Sequence, residues 1–228
     1  MIPRGIGATE LGPIVVDLET APLAGAVDFL EPVTADKRLK DPEKVKADLQ
    51  EKEAARLEKL ALDWNVGRIV ALAWWTASRE ECWLCETEED ERRALEDFWR
   101  SARNRTVIGY NIKNFDGPYL IQRSRYLGVK PLDLDLGRYS DRGVVDVFNK
   151  LTFNDCPATS AMRRSLHAFA KRFGIPVDDS IGGAEVPALV AAGEWEKVRQ
   201  HVVSDVALTR ALAQRLGVLQ AVREEVAI

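Results

Sequence analysis

Four acidic residues, in three separate segments, are the residues of this 228-residue chain whose types and spacing could do chemistry. Asp17 and Glu19 stand two residues apart at the end of an apolar run. Asp116 follows an Asn-rich turn, and Asp205 stands four residues after His201. On an extended strand, side chains two residues apart project to the same side. The carboxylates of Asp17 and Glu19 would therefore repel each other unless a cation lay between them.

The chemistry that such a group of acids could support is metal-assisted cleavage of a phosphodiester. Mg²⁺ prefers hard oxygen ligands, usually one or two carboxylates with water and phosphate oxygens. Two ions about 3.5–4 Å apart stabilise both the attacking and the leaving oxygen of a phosphoryl displacement. We therefore predict two divalent cations, Mg²⁺ or Mn²⁺, at Asp17, Glu19, Asp116 and Asp205. His201 would hold or deprotonate the attacking water, since histidine titrates near neutral pH.

Each acid taken alone also has a simpler structural interpretation. Asp17 and Glu19 could be a solvated pair at a strand end, and Asp116 could cap a helix. His201 and Asp205 could form an ordinary pair on one helix face. Two further residues belong to this comparison: Asp146, a candidate fifth acid, and His167, which we expect to pack or to contact a phosphate rather than a metal.

The elements that must position these residues alternate between strands and helices. Short apolar runs predict strands, and apolar residues at helical spacing, bounded by glycine and proline, predict helices. This order indicates a single α/β domain over residues 1–228, with helices flanking a central sheet. Residues 21–65 are expected to form a charged helical insertion that is largely solvated. Predicted strands cover 14–17, 68–75, 81–86, 106–110 and 144–148, and predicted helices cover 42–62, 88–103, 115–126, 166–173, 186–192 and 194–216.

Charge and composition narrow the class of protein. The net charge is −4, but residues 103–172 carry 13 Lys/Arg and 6 Asp/Glu, a net charge of +7. A basic segment that also holds Asp116 favours a nucleic-acid partner. The chain lacks an apolar run of the roughly 18 residues that span a bilayer, and we expect a cytoplasmic protein. Cys82 and Cys85 form a CxxC without further ligands nearby, so we interpret them as ordinary strand residues.

Three segments resemble the exonuclease motifs of the DEDD 3′–5′ exonuclease superfamily: DLET (17–20), GYNIKNFD (109–116) followed by PYL (118–120), and HVVSD (201–205). The middle segment is especially similar to the proofreading domains of family B DNA polymerases. The resemblance covers nearly the whole chain and implies a stand-alone exonuclease of this type. It also implies a ribonuclease H-like fold, a five-stranded mixed sheet with its first three strands antiparallel and with helices on its faces.

The resemblance further implies roles for individual residues. Asp17, Glu19 and Asp205 would hold one metal ion, with Asp17 bridging to a second ion that Asp116 binds through water. The substrate would be the 3′ end of single-stranded DNA, from which mononucleotides are released. An aromatic side chain such as Phe115 can stack on a base without reading sequence. The residues implied to contact the terminal nucleotides are Thr20, Asn111, Phe115 and Tyr119.

The last motif departs from the family pattern. One branch has Tyr four residues before the final Asp, and the other has His five residues before it, where this chain has Gln200. We expect His201 to orient the water despite this difference, because it lies on the same helix face as Asp205. Three alternatives remain open: the same chemistry on RNA, a non-catalytic module that binds single strands, and an accessory subunit whose 21–65 segment docks onto a replication or repair protein.

Overall fold

The computed structural model describes residues 11–57, 59–154 and 164–220. Its centre is a sheet of five strands, in the order β3-β2-β1-β4-β5. The first three strands pair antiparallel, and β4 and β5 run parallel to β1. This confirms the five-stranded mixed sheet that the family resemblance implied. The strands are β1 (Ile14–Pro22), β2 (Gly67–Thr76), β3 (Arg79–Leu84), β4 (Val107–Gly109) and β5 (Val144–Asp146).

Helices flank this sheet, as predicted. No helix among the described residues is long and apolar enough to cross a membrane. Short 3₁₀ helices cover Ala26–Phe29, Leu60–Leu62 and Gly183–Glu185. The α-helices are α1 (Pro42–Leu57), α2 (Glu88–Ala102), α3 (Asp116–Tyr126), α4 (Val147–Leu151), α5 (Leu166–Arg172), α6 (Val186–Ala191) and α7 (Trp195–Arg215).

Strand β1 is buried on both faces, and its alternation decides where the acids lie. Val16 and Leu18 pack with α2 in one core cluster, whereas Val15 packs with Val202 of α7 in the other. Because side chains alternate along a strand, Asp17 shares the α7 face with Val15. Glu19 follows on the same face, and the pairing with β2 shifts register directly after it. Such a bulge re-aims the side chains around it and is common beside active sites.

The structure corrects the predicted strand at 144–148. Strand β5 ends at Asp146, and Val147 and Phe148 begin α4 instead. The reason is local, because the carboxylate of Asp146 accepts a hydrogen bond at 3.2 Å from the backbone N–H of Asn149. That contact caps the helix and satisfies one of the N–H groups that its first turn leaves unpaired.

The predicted insertion at 21–65 divides into a solvated part and a packed part. Helix α1 has no buried residue among those described, in agreement with the predicted solvated arm. The residues that follow it do not belong to that arm, since Leu60 and Ala61 are buried. The carbonyl of Ala61 accepts a hydrogen bond at 2.9 Å from the hydroxyl of Tyr119, which ties the segment to α3. The solvated part of the segment is therefore α1 together with residues 27–41 before it, none of which is buried.

Candidate active site

Strand β1 and helix α7 bring three of the four predicted acids together. Asp17, Glu19 and Asp205 each offer a carboxylate oxygen, and these three oxygens lie within 4.8 Å of one another. The strand supplies Asp17 and Glu19 on the face that α7 covers, and Asp205 lies on the buried side of that helix. Residues almost two hundred positions apart in the sequence thus form one cluster.

Asp116, the fourth acid, is the first residue of α3 and is buried. Burial raises its pKa to about 8, with a further rise from the charges of Glu19 and Asp146 that backbone hydrogen bonds only partly offset. The charge of Asp116 in turn contributes to the raised pKa of Asp17. Asp116 is therefore electrostatically part of the cluster.

The other three carboxyl groups also resist ionisation. Burial, followed by the charges of Asp116, Asp205 and Glu19, holds the pKa of Asp17 well above its usual value. Burial raises the pKa of Glu19 and of Asp205, although each has a histidine partner that favours its charged form. Like charges so close together are relieved by a divalent cation. A donor set of hard carboxylate oxygens fits Mg²⁺ or Mn²⁺.

The turn before α3 is held in place by Asp146, the residue considered above as a fifth acid. Its two carboxylate oxygens accept hydrogen bonds from the backbone N–H groups of Asn111 at 3.0 Å and Lys113 at 3.1 Å. Asn111 adopts a left-handed backbone conformation with φ of 57°, which asparagine tolerates better than most residues. Asp146 thus anchors the turn that delivers Asp116, with its oxygens directed to backbone N–H groups.

His201 lies against Glu19, one of the predicted acids. Its Nε2 is 3.1 Å from Oε1 of Glu19, and its Nδ1 contacts Oδ2 of Asp179. Burial favours the neutral ring, but hydrogen bonds and charge from Glu19 and Asp179 outweigh it and raise the pKa of His201 to about 9. A ring that is protonated at neutral pH cannot accept a proton. Of the two roles predicted for His201, this favours holding the attacking water over deprotonating it, and both stay predictions.

Two residues that sequence reasoning did not assign to the site also reach it. Nε2 of His167, on α5, is 3.0 Å from Oδ1 of Asp205, so the expectation that this histidine only packs or meets a phosphate was incomplete. Asp179 lies in the loop before α6 and contacts His201. Local sequence gave no signal for either contact, since 38 and 22 residues separate the partners.

The four predicted nucleotide contacts fall into two groups. Asn111 and Phe115 are half-buried at the start of the turn and of α3, so they keep a surface that a nucleotide could meet. Tyr119 is fully buried in the core and donates its hydroxyl to Ala61, which leaves no surface for a nucleotide. Thr20 is likewise buried, after the bulge in β1. The burial of Tyr119 contradicts its predicted contact, whereas the contact predicted for Thr20 stays a prediction.

Not all of the basic residues at 103–172 lie on the surface of the folded chain. Arg123 is buried and forms a two-pronged ion pair with the buried Glu91, with both contacts at 2.8 Å. Lys113 is buried and donates to the carbonyls of Gly137 and Ser140. Arg163 lies outside the described residues. Among the described residues of this segment, the exposed basic ones are Arg103, Arg125, Lys130, Arg138, Arg142, Lys150, Arg164, Lys171 and Arg172.

Comparisons with known proteins agree with this fold. The family model described as DNA polymerase family B, exonuclease domain, matches residues 47–168, more than half of the chain. That range contains Asp116 but not Asp17, Glu19 or Asp205. No curated protein matches the sequence. A structure of the family B DNA polymerase from the hyperthermophilic archaeon Pyrobaculum calidifontis superposes with a TM-score of 0.59 at 21% identity, over 89% of this chain and 24% of that polymerase. The chain thus spans about a quarter of the polymerase's length.

Proposed function

Because the chain belongs to the family of exonuclease domains of family B DNA polymerases, we propose that it is a metal-dependent 3′–5′ exonuclease that hydrolyses single-stranded DNA. The observation that carries the proposal is the cluster of Asp17, Glu19 and Asp205, whose oxygens lie within 4.8 Å of one another. Asp116 lies near enough to raise the pKa of Asp17. The family match does not reach three of these four acids, so the fold supplies support that the match alone does not.

The proposed roles follow from position. Asp17, Glu19 and Asp205 would hold one divalent cation, and Asp116 with Asp17 would hold a second. Such a pair of ions, when bound, stabilises the attacking and leaving oxygens of a phosphoryl displacement. His201 holds the carboxylate of Glu19 in place through Nε2 and thus acts as a positioning residue. Phe115, half-buried beside Asp116, would stack on the terminal base.

The test uses single-stranded DNA labelled at its 5′ end, with Mg²⁺ or Mn²⁺. We expect a ladder of products that shorten from the 3′ end, no products in EDTA, and no cleavage of circular single strands. An intact substrate with both metals, in the presence of correctly folded protein, would contradict the proposal. Binding of the strand without cleavage would instead favour the non-catalytic module.

Substitutions connect the activity to the cluster. Asp17→Ala and Asp205→Ala should each abolish shortening while the circular dichroism spectrum remains that of the wild type. Asp133→Asn is the matched control, because Asp133 is exposed and lies outside the cluster. Full activity in Asp17→Ala would remove the cluster from the reaction. Competition between labelled DNA and RNA of the same sequence tests the substrate, since only RNA offers a 2′-hydroxyl.

A further inference from the structure

Beside the acidic cluster lies a second group of side chains with metal-ligating atoms, made of His167, Asp179, His201 and Asp205. One ligand atom from each of these residues lies within 4.8 Å of the other three. The group includes both histidines of the chain. We propose that it is a binding site for a transition-metal dication, with Zn²⁺ as the ion that fits its ligands best. The inference is independent of nuclease activity.

The contact between His167 and Asp205 already has the spacing of two ligands on a shared ion, whereas Nδ1 of His201 and Oδ2 of Asp179 would have to move apart to admit one. Metal–nitrogen and metal–oxygen bonds of about 2.0–2.2 Å place neighbouring ligands roughly 3–3.5 Å apart. Nε2 of His167 is 3.0 Å from Oδ1 of Asp205. Nδ1 of His201 contacts Oδ2 of Asp179. Bringing these two nitrogen–oxygen pairs around one ion needs a contraction of about an ångström across the group, whose widest separation is at most 4.8 Å.

Nε2 of His201, the ring nitrogen that would not bind the ion, supports the same assignment. A histidine that ligates a metal through one ring nitrogen usually donates the other N–H to a carboxylate or carbonyl, which fixes the ring. With Nδ1 directed at Asp179, Nε2 is 3.1 Å from Oε1 of Glu19. Glu19 would thus stand in the outer shell of this site while serving as a ligand in the acidic cluster.

Ligand type separates the two sites. Carboxylates and water suit Mg²⁺, whereas imidazole suits Zn²⁺ and its transition-metal neighbours. Two imidazoles with two carboxylates therefore select against Mg²⁺, which the all-carboxylate cluster accepts. Asp205 belongs to both groups. Asp179 also lines an open cleft of about 610 Å³, together with residues that include Gln200 and Ser204, so this ligand faces solvent.

Cobalt titration of the metal-free full chain tests the proposal without nucleic acid. Co²⁺ is added in the presence of excess Mg²⁺, which occupies the all-carboxylate cluster. We expect the intense visible absorption of a four- or five-coordinate Co²⁺ ion, with loss of this absorption when Zn²⁺ is added in equal amount. Only the weak spectrum of six-coordinate Co²⁺, or displacement by Mg²⁺, would overturn the site.

Variants locate the ion. His167→Gln and His201→Gln should each weaken Co²⁺ binding by at least about tenfold, a loss typical even for residues outside the innermost ligands. Asp116→Asn is the matched control, because it removes a buried carboxylate of the acidic cluster that is not among the four residues. It should retain the cobalt spectrum. Unchanged affinity in both histidine variants would contradict the proposal.

A measurement on the wild-type protein keeps the test valid if a histidine variant fails to fold. The chain has only two histidines, so ¹⁵N-labelled imidazoles report on this group alone. Saturating Zn²⁺ should shift the ring-nitrogen resonances of both residues by the large amount that direct ligation causes, and saturating Mg²⁺ should cause a smaller change, since it reaches the rings only through their carboxylate partners Asp205 and Glu19. Zn²⁺ that leaves both rings unchanged would overturn the proposal, whatever the result of the exonuclease assay.

Discussion

Asp116 shows how a single residue couples chemistry to stability. Burial raises its pKa to about 8, whereas an aspartate in an unfolded chain titrates near 3.9. The folded protein therefore binds a proton here that the unfolded chain releases, between about pH 4 and pH 8. By linkage, the free energy of unfolding falls as pH rises through this window. The stabilising contribution is complete below the unfolded pKa and is lost as pH passes the folded pKa.

We predict that Asp116→Asn stabilises the metal-free protein at alkaline pH. In EDTA at pH 8.5 the free energy of unfolding should rise by at least about 1 kcal/mol, since one pKa unit corresponds to about 1.4 kcal/mol. The Tm should then rise by roughly 2–4 °C per kcal/mol for a chain of this size. The difference between the two proteins should shrink as the pH is lowered towards 4, because the carboxyl group is then protonated in both the folded and the unfolded chain. A lower Tm for the variant at pH 8.5 would contradict the raised pKa.

His201 gives a second prediction at this scale, about the pH dependence of turnover. Its pKa of about 9 means that the ring is protonated across the neutral range and holds Glu19 as a donor. His201→Gln should lower kcat/KM by about 10–100-fold, the usual cost of a lost outer-shell partner. The acidic limb of the pH–rate profile should remain, because the carboxylates cause it. Disappearance of that limb would show that His201 acts as a base after all.

Among the elements, those with clear periodicity were predicted within two or three residues of their bounds, except β1 and the helix predicted at 42–62, which ends at Leu57. The strand continues to Pro22 because Glu19 and Thr20 are buried between β2 and the helices, which a polar sequence does not reveal. The predicted end of β5 was wrong for a different reason. Val147 and Phe148 suit a strand by type, but the side chain of Asp146 caps a helix there. Tertiary burial and side-chain capping thus decided the two cases.

Asp146 carries the prediction that belongs to the turn before α3. Its carboxylate accepts hydrogen bonds from the backbone N–H groups of Asn111, Lys113 and Asn149, so it fixes both that turn and the start of α4. The substitution Asp146→Asn replaces one of the two acceptor oxygens with an NH₂ group, which can only donate. We expect the free energy of unfolding to fall by about 1–3 kcal/mol, as for other unsatisfied buried groups. Exonuclease activity should fall as well, because Asp116 loses its support. Asp141→Asn, at a surface ion pair, is the control and should change neither quantity.

Helix α1 gives the opposite prediction, since it has no buried residue. Replacing residues 42–57 with a glycine–serine linker should leave the Tm within about 2 °C, as surface changes usually alter stability by less than about 0.5 kcal/mol. Cleavage of free single-stranded DNA should also be unchanged. Loss of binding to a replication or repair partner, with activity intact, would support the docking role considered for this segment. Loss of activity would instead place α1 beside the substrate.

On the scale of the whole molecule, the acidic cluster could be predicted and its histidine neighbours could not. The resemblance named Asp17, Glu19, Asp116 and Asp205 because each lies in a short segment that can be compared by itself. His167 and Asp179 reach the site only because α5 and the loop before α6 pack against α7. No local sequence pattern indicates that packing. The same limit explains the error at Tyr119, whose burial depends on the segment around Ala61.

Charge must also be judged from the folded molecule, because burial removes Lys113 and Arg123 from the surface. Helix α5 keeps its basic residues exposed, and Lys171 stands four residues after His167, on the same face. Since His167 contacts Asp205, this face of α5 borders the acidic cluster. We therefore expect Lys171 to meet a phosphate of a bound strand.

We predict that Lys171→Gln weakens binding of single-stranded DNA and lowers its salt dependence. Each phosphate contact contributes about 0.7 to the slope of log K against log salt for single strands. Anisotropy with labelled DNA, in an Asp17→Ala background that prevents cleavage, should show a slope reduced by about 0.7. Lys130→Gln is the matched control, because α3, eleven residues long, places its end roughly 16 Å from Asp116. Equal slopes for Lys171→Gln and the parent protein would place the strand's path elsewhere on the surface.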